Sequence, residues 1–225
     1  MTRKTVVVRA SSIYEVTVSD TKAKFLEKYP YPIPSVWSTI VSELLVQAHF
    51  TKYNRKYEYN ALSSLGFVSV FDQLFEGFPD EAQKAKIFEA FLSALGEDAA
   101  KTRADAEKLG AFAASAEGVD GLKANPLFAT MATQAAADKL LYTKYIAIGM
   151  FRMLELAKAT DPKALESLAG AGGVDLKKVN SDLAMYKGLL SKLAAAKELQ
   201  AEFLEREKRK TAERLAKKAE KAASE

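Results

Sequence analysis

Residues 65–79 read Leu-Gly-Phe-Val-Ser-Val-Phe-Asp-Gln-Leu-Phe-Glu-Gly-Phe-Pro, and this stretch decides the fold. Asn60 ahead of it can cap a helix, Gly77 can stop one, and Pro79 can open the next. Between those signals Leu62, Leu65, Val68 or Ser69, Asp72, Leu74 and Phe75 recur at three- and four-residue spacing on overlapping faces. Phenylalanine and valine at helical spacing over so much of the surface predict a central helix packed deep in an apolar core. Leu65, Val68, Phe71 and Phe75 are its expected buried side chains.

Helix signals extend outward in both directions. Ser19 or Asp20 is expected to cap a short first helix ending at Tyr29. The proline cluster Tyr29-Pro30-Tyr31-Pro32-Ile33-Pro34 then forces an extended corner, and Pro34 suits the first turn of a helix running to about Asn54. Trp37, Ile40, Val41, Leu44, Leu45 and Ala48 form its inward stripe. Pro79 and Asp80 open a helix with Ile87, Phe88, Phe91, Leu92 and Leu95 inside and Gly96 as stop, and Asp98 caps a fifth. The Ala-, Ser- and Gly-rich stretch 110–126 reads as a fraying helix end followed by a loop at 118–125. Pro126 starts a helical region in which Tyr142, Tyr145, Ile148, Phe151, Leu154 and Glu155 recur, and Gly149 is a close-packing point. Asp161-Pro162 caps a short helix that the glycines at 170–173 end. From Leu176 the stripe Val179, Leu183, Tyr186, Leu189 or Leu190, Leu193, Leu199, Phe203 and Leu204 predicts one long helix. The only strand-like run is Thr5 to Val8.

The expected architecture is therefore all-α, a single helical-bundle domain followed by a long C-terminal helix or tail. Its boundaries are an N-terminal segment 1–16, a body 17–204 and a charged tail 205–225. A 225-residue chain with 48% hydrophobic residues can bury a real core. With no cysteine and one histidine, His49, disulfide staples, thiolate metal sites, a cysteine nucleophile and histidine-cluster metal centres are excluded. A di-iron bundle site, which needs two Glu-x-x-His pairs, is excluded with them. No cofactor is implied. The net charge is +4, with +3 on residues 1–9, +3 on 205–225 and −2 between. That distribution argues against a nucleic-acid-binding face on the body and makes the ends the electrostatically adhesive parts. No apolar run reaches the ~20 residues that span a bilayer.

Few residues offer chemistry. Asp72 and Glu76 share a helix face, yet carboxylates in such pairs are mostly solvated or salt-bridged. Gly170-Ala171-Gly172-Gly173 lacks the lysine and hydroxyl residue of a phosphate loop. Tyr53, Tyr57 and Tyr59 beside Lys52, Arg55 and Lys56 form an aromatic-basic cluster that could contact phosphates or an acidic protein. The reading it favours more is a helix end whose rings cover the core while the charges snorkel. Arg206, Lys208, Arg209 and Lys210 are the candidate contacts on the tail.

Several short segments, in one order, resemble the thylakoid formation protein family of chloroplasts and cyanobacteria. They are Thr17 to Lys22, Tyr29 with Pro32-Ile33-Pro34, Glu43-Leu44-Leu45-Val46-Gln47, and Gly66-Phe67-Val68 through Phe71-Asp72-Gln73 to Glu76-Gly77. Ala147 to Arg152 with Gly149 follow, then Leu154-Glu155-Leu156, Asp182-Leu183 with Tyr186, and 190–199. The likeness runs from about Thr17 to Arg209 and is weakest over 101–124. It implies an all-helical, non-enzymatic factor of photosystem II biogenesis and repair, at the thylakoid periphery and in the chloroplast stroma. The implied partners are the thylakoid FtsH protease and photosystem II or photosystem I core proteins, with peripheral contact to the thylakoid membrane. The matched polar positions Asp72, Gln73, Glu76, Arg152, Glu155 and Asp182 can be binding, network or capping residues. Val6-Val7-Val8-Arg9-Ala10-Ser11 resembles the end of a chloroplast transit peptide, and could equally be a frayed basic N-terminus. Two rival readings are a plastid envelope signalling adaptor and a helical ligand carrier or enzyme with an internal pocket.

Overall fold

The computed structural model describes residues 16–159, 161 and 163–223. The Thr5–Val8 strand, the transit-peptide match at 6–11 and the role of Pro162 lie outside the described residues. Within them the fold is all-α, with ten helices and no strand. These are α1 (Val18–Lys28), α2 (Ser35–Lys52), α3 (Ala61–Leu74), α4 (Glu81–Ala94), α5 (Ala99–Ser115), α6 (Gly118–Lys123), α7 (Pro126–Ala136), α8 (Lys144–Leu156), α9 (Ala164–Ala171) and α10 (Leu176–Ala223).

Helix starts follow cap chemistry. Asn60 accepts from the amides of Leu62 and Ser63, Asp80 from Gln83, Asp98 from Lys101, and Asn125 from Leu127 with Pro126 in the first turn. Three expectations are corrected. The cap of α1 is Thr17, in a reciprocal capping box with Asp20, because Asp20 three residues on can return a bond to the cap amide. Pro34 is itself the cap residue of α2, its ψ of 143° being extended. The stretch 118–125 is not a loop, since buried Leu122 anchors the short helix α6.

The helical region after Pro126 divides at a non-helical link, 137–143, which opens with a turn at Ala137 and Asp138 and takes Tyr142 out of the helix. Helix α3 packs most extensively against α8 and α5, and α1 against α4. The core is a ring cluster on α3 and α4. Phe71 stacks on Phe75 at 4.2 Å, Phe67 on Phe91 at 5.2 Å, and Tyr145 meets Phe67 edge-on at 5.5 Å. Leu65, Phe71, Phe75, Phe88, Phe91, Tyr145 and Leu154 are buried. Val68 and Phe151 are only half-buried, because the adjacent Phe67 and Met150 take the inward positions on their helices.

Two glycines set the α3–α8 crossing. A methyl group on Gly66 would lie 1.9 Å from the Tyr145 carbonyl oxygen, and one on Gly149 would lie 2.3 Å from that of Leu62. The backbones touch where side chains would otherwise hold helices ~8–10 Å apart. Gly77 ends the Phe-rich segment with φ +76°, a left-handed conformation that suits glycine.

The chain divides into a first compact unit ending at Leu183 and a second beginning at Ala184. Val179 and Leu183 are the last buried side chains. Burial thus stops about twenty residues before the change of composition at Glu205, because the apolar residues that continue along α10 are not enclosed.

Candidate functional site

The aromatic-basic segment after α2 folds over a partly open cavity of about 190 Å³. Phe67, Phe91, Leu92, Leu95 and Leu127 supply its apolar lining, and Lys52, Lys56, Glu58, Glu97, Gln134 and Lys139 supply polar groups. The Tyr57 hydroxyl donates to Glu97 Oε1 at 2.6 Å, and the Lys52 ammonium binds the same oxygen while lying 4.6 Å over the Tyr57 ring. Tyr59 donates to Asp105 at 2.7 Å beneath Lys101, whose ammonium sits 3.7 Å over that ring. Burial first, then the carboxylate bond, raises the pKa of Tyr57 well above that of an ordinary phenol. Burial also raises that of Tyr59. Both rings are therefore fixed covers held by acids from the α4–α5 end. Tyr53 instead packs on His49 at 4.8 Å. Lys56 reaches Asp138 at 2.7 Å, Arg55 is exposed, and Gln134 donates to Glu58 at 2.8 Å.

The sequence reading found the tyrosines and lysines but missed Glu97, Asp105, Gln134 and Lys139. They lie 40 or more residues away along the chain, and no local pattern joins them.

The family-motif positions do not converge on one site. Gly66, Phe67 and Gly149 form the helix crossing, whereas Pro32 and Pro34 are exposed at the corner before α2. Asp72 accepts both terminal nitrogens of Arg103, at 3.1 and 3.2 Å, while the guanidinium covers the Phe88 ring at 4.1 Å. Glu76 and Gln73 are exposed beside Gly77 at the end of α3. Arg152 pairs with Glu155 at 3.1 Å on the surface of α8. Asp182 accepts from the Tyr142 hydroxyl at 2.7 Å and tethers the 137–143 link to the start of α10. Next to it Lys144 donates to Gln47, its pKa lowered by burial against the pull of Asp182 and Glu43.

His49 is buried and its Nδ1 lies 2.8 Å from the Thr21 hydroxyl. Among the described residues no group of three or more histidine, cysteine or acidic side chains is placed to hold a metal ion.

From Ala184 onward α10 carries no buried side chain among those described. Met185, Leu199 and Phe203 are each more than 60% exposed, and Leu189 is 41% exposed. At ~3.6 residues per turn these four fall on one face, with Glu198, Glu202 and Glu205 away from it. Tyr186 is half-buried. In the tail Arg206 pairs with Glu202, Arg209 with Glu213 and Lys210 with Glu207, and Lys208 is exposed. No helix among the described residues is long and apolar enough to cross a membrane.

The sequence profile of the family described as thylakoid formation protein matches residues 17–215. The chain is 45% identical over 215 residues to Protein THYLAKOID FORMATION1, chloroplastic, of Solanum tuberosum, covering 90% of this chain and 72% of that one. It is 32% identical over 215 residues to Protein Thf1 of Nostoc sp. PCC 7120, covering 88% and 92%. Among solved structures it is similar to that of Psb29, with a TM-score of 0.71 and 25% identity over 88% of this chain and 99% of that one. With nearly the whole helical chain matched in sequence and in fold, this chain belongs to the thylakoid formation protein family.

Proposed function

We propose that this chain is a non-catalytic factor of thylakoid biogenesis in the chloroplast, acting by docking on a thylakoid protein complex. The chloroplastic names of its plant relatives support the compartment. The observation that carries the docking mode is the apolar row of Met185, Leu189, Leu199 and Phe203, displayed to solvent on α10. Isolated apolar side chains on a surface need no explanation, but four on one helical face, in two pairs separated by Lys192 and Ala196, fit a helix that meets a partner. The partner that the family resemblance favours is the thylakoid FtsH protease, with photosystem core proteins as the other candidates. Photosystem II assembly and repair are then the processes served, from the thylakoid periphery and the stroma.

The test is affinity capture from solubilised thylakoids with the full chain and with a Leu199→Glu/Phe203→Glu variant. Protease subunits should co-purify with the first and be lost with the second, while both give the same circular-dichroism spectrum. Equal recovery with both would remove α10 from the docking mode. Recovery of photosystem subunits without protease would reassign the partner.

A further inference from the structure

The cavity behind Tyr57 is not needed for docking through α10, and its lining points to a ligand of its own. Its size, about 190 Å³, is somewhat above the ~150 Å³ of an apolar cavity that holds a benzene ring. The apolar part, made by Phe67, Phe91, Leu92, Leu95 and Leu127, suits one ring or a chain of similar bulk. The polar part is unequal in what it leaves unused. Glu97 accepts from both Lys52 and Tyr57 through Oε1, and Glu58 accepts from Gln134 through Oε2, so each acid already has a partner within the protein, and three lysines face two carboxylates around the cavity. The lysines offer three N–H donors each. Lys52 and Lys56 are each seen to bind one carboxylate, and the Lys139 side chain has no hydrogen-bond or ion-pair partner among the described residues. The excess charge at the rim is therefore cationic, with a free ammonium at Lys139, beside an apolar floor.

We infer that this cavity binds a small amphiphilic carboxylate, a ring-sized apolar body ending in a carboxylate group. The ring lies on Phe67, Leu92 and Leu95, and the carboxylate meets Lys139, with the second and third donors of Lys56 beside it. The excess of three lysines over two carboxylates in the lining favours an anionic head over an ammonium.

The probe is 3-phenylpropanoate, with 3-phenylpropanol and 3-phenylpropylamine as neutral and cationic counterparts. All three are titrated into the full chain while amide chemical shifts and binding heats are followed. Saturable one-to-one binding of the carboxylate is expected, with shifts centred on the amides of Phe67, Leu92 and Leu95, and weaker binding of the other two. Lys139→Glu, an exposed substitution, should weaken the carboxylate by about tenfold or more, the scale of one charge-assisted hydrogen bond, and leave the melting temperature unchanged. Thr130→Trp, from an exposed position on α7 that lines the cavity, should place an indole across it and abolish binding. The inference is overturned by the absence of saturable binding, by the amine binding as tightly as the carboxylate, or by a Lys139→Glu chain that binds as well as the parent. None of these outcomes bears on recovery of a thylakoid partner through α10.

Discussion

Where α3 crosses α8 there is no room for one methyl group on either helix. Gly66→Ala would place a carbon far inside van der Waals contact with the Tyr145 carbonyl oxygen, and Gly149→Ala would do the same to that of Leu62. Relief requires the helices to separate, and because backbone rather than a flexible side chain is in the way, each variant should lose about 1–3 kcal/mol or more in urea unfolding. Phe71 marks the opposite case, a fully buried ring stacked on Phe75 and edge-on to Phe88 at 5.0 Å. Its replacement by alanine leaves a cavity and should cost about 3–5 kcal/mol. Thermal melts that leave the midpoint of Phe71→Ala unchanged would contradict this placement. His49 adds a pH dependence. Burial holds its pKa below the ordinary value of 6.5, with Asp20 pulling weakly upward. The neutral ring is thus the native form, and the unfolded chain binds the proton more readily. The stability it contributes is complete above about pH 6.5 and is lost as pH falls toward the depressed native pKa. Between about pH 7 and pH 5 the parent should lose more of its melting temperature than His49→Gln, so the gap between the two should narrow.

At the scale of elements, the pair of Asp72 and Arg103 joins α3 to α5 by two different interactions. Both groups are partly exposed, at 43% and 35%, so the charge pair alone contributes little, and Asp72→Asn should cost less than about 1 kcal/mol. Arg103→Ala also uncovers the Phe88 ring, and should cost about 1–2 kcal/mol. Equal losses in the two variants would mean that the guanidinium does not act as a cover. This pair also separates what the sequence could tell from what it could not. The long helices with a periodic stripe are legible: α3 and α4 advertise start and face together through Asn60 and Asp80, and α2 and α10 through their stripes after Pro34 and Asp175. Thr17 is masked in the sequence because the returning Asp20 is itself a good cap, and α6 looks like a loop because its glycines outweigh Leu122. The partners of Asp72, Tyr57, Tyr59 and Asp182 are 31 to 46 residues away. No periodicity reports such pairs, so the cavity and its donors are not legible even though Lys52, Lys56, Tyr57 and Tyr59 stand out in the sequence.

For the whole molecule, the place where burial stops makes folding and association separable. Composition alone places the edge of the body at Leu204, since mixed charge begins at Glu205. The structure ends enclosed packing at Leu183, leaving Met185 to Phe203 as a helical segment in which Met185, Leu189, Leu199 and Phe203 face water. A chain cut after Leu204 removes no side chain that is buried among those described. It should therefore keep the melting midpoint of the parent and lose helical signal only in proportion to the residues removed. It retains the apolar row but loses the +3 excess of residues 205–225, whose influence on an acidic surface reaches only ~8 Å at physiological salt. Thylakoid recovery of this truncation should fall at low salt and approach that of the parent at high salt, where screening has already removed the tail's contribution from both. The Leu199→Glu/Phe203→Glu variant should instead be deficient at every salt concentration, because apolar contact is not screened. Comparing the two across a salt series separates steering by the tail from contact by the row. If the truncation and the parent are recovered equally at low salt, the tail plays no part, and association rests on α10 before Glu205 alone.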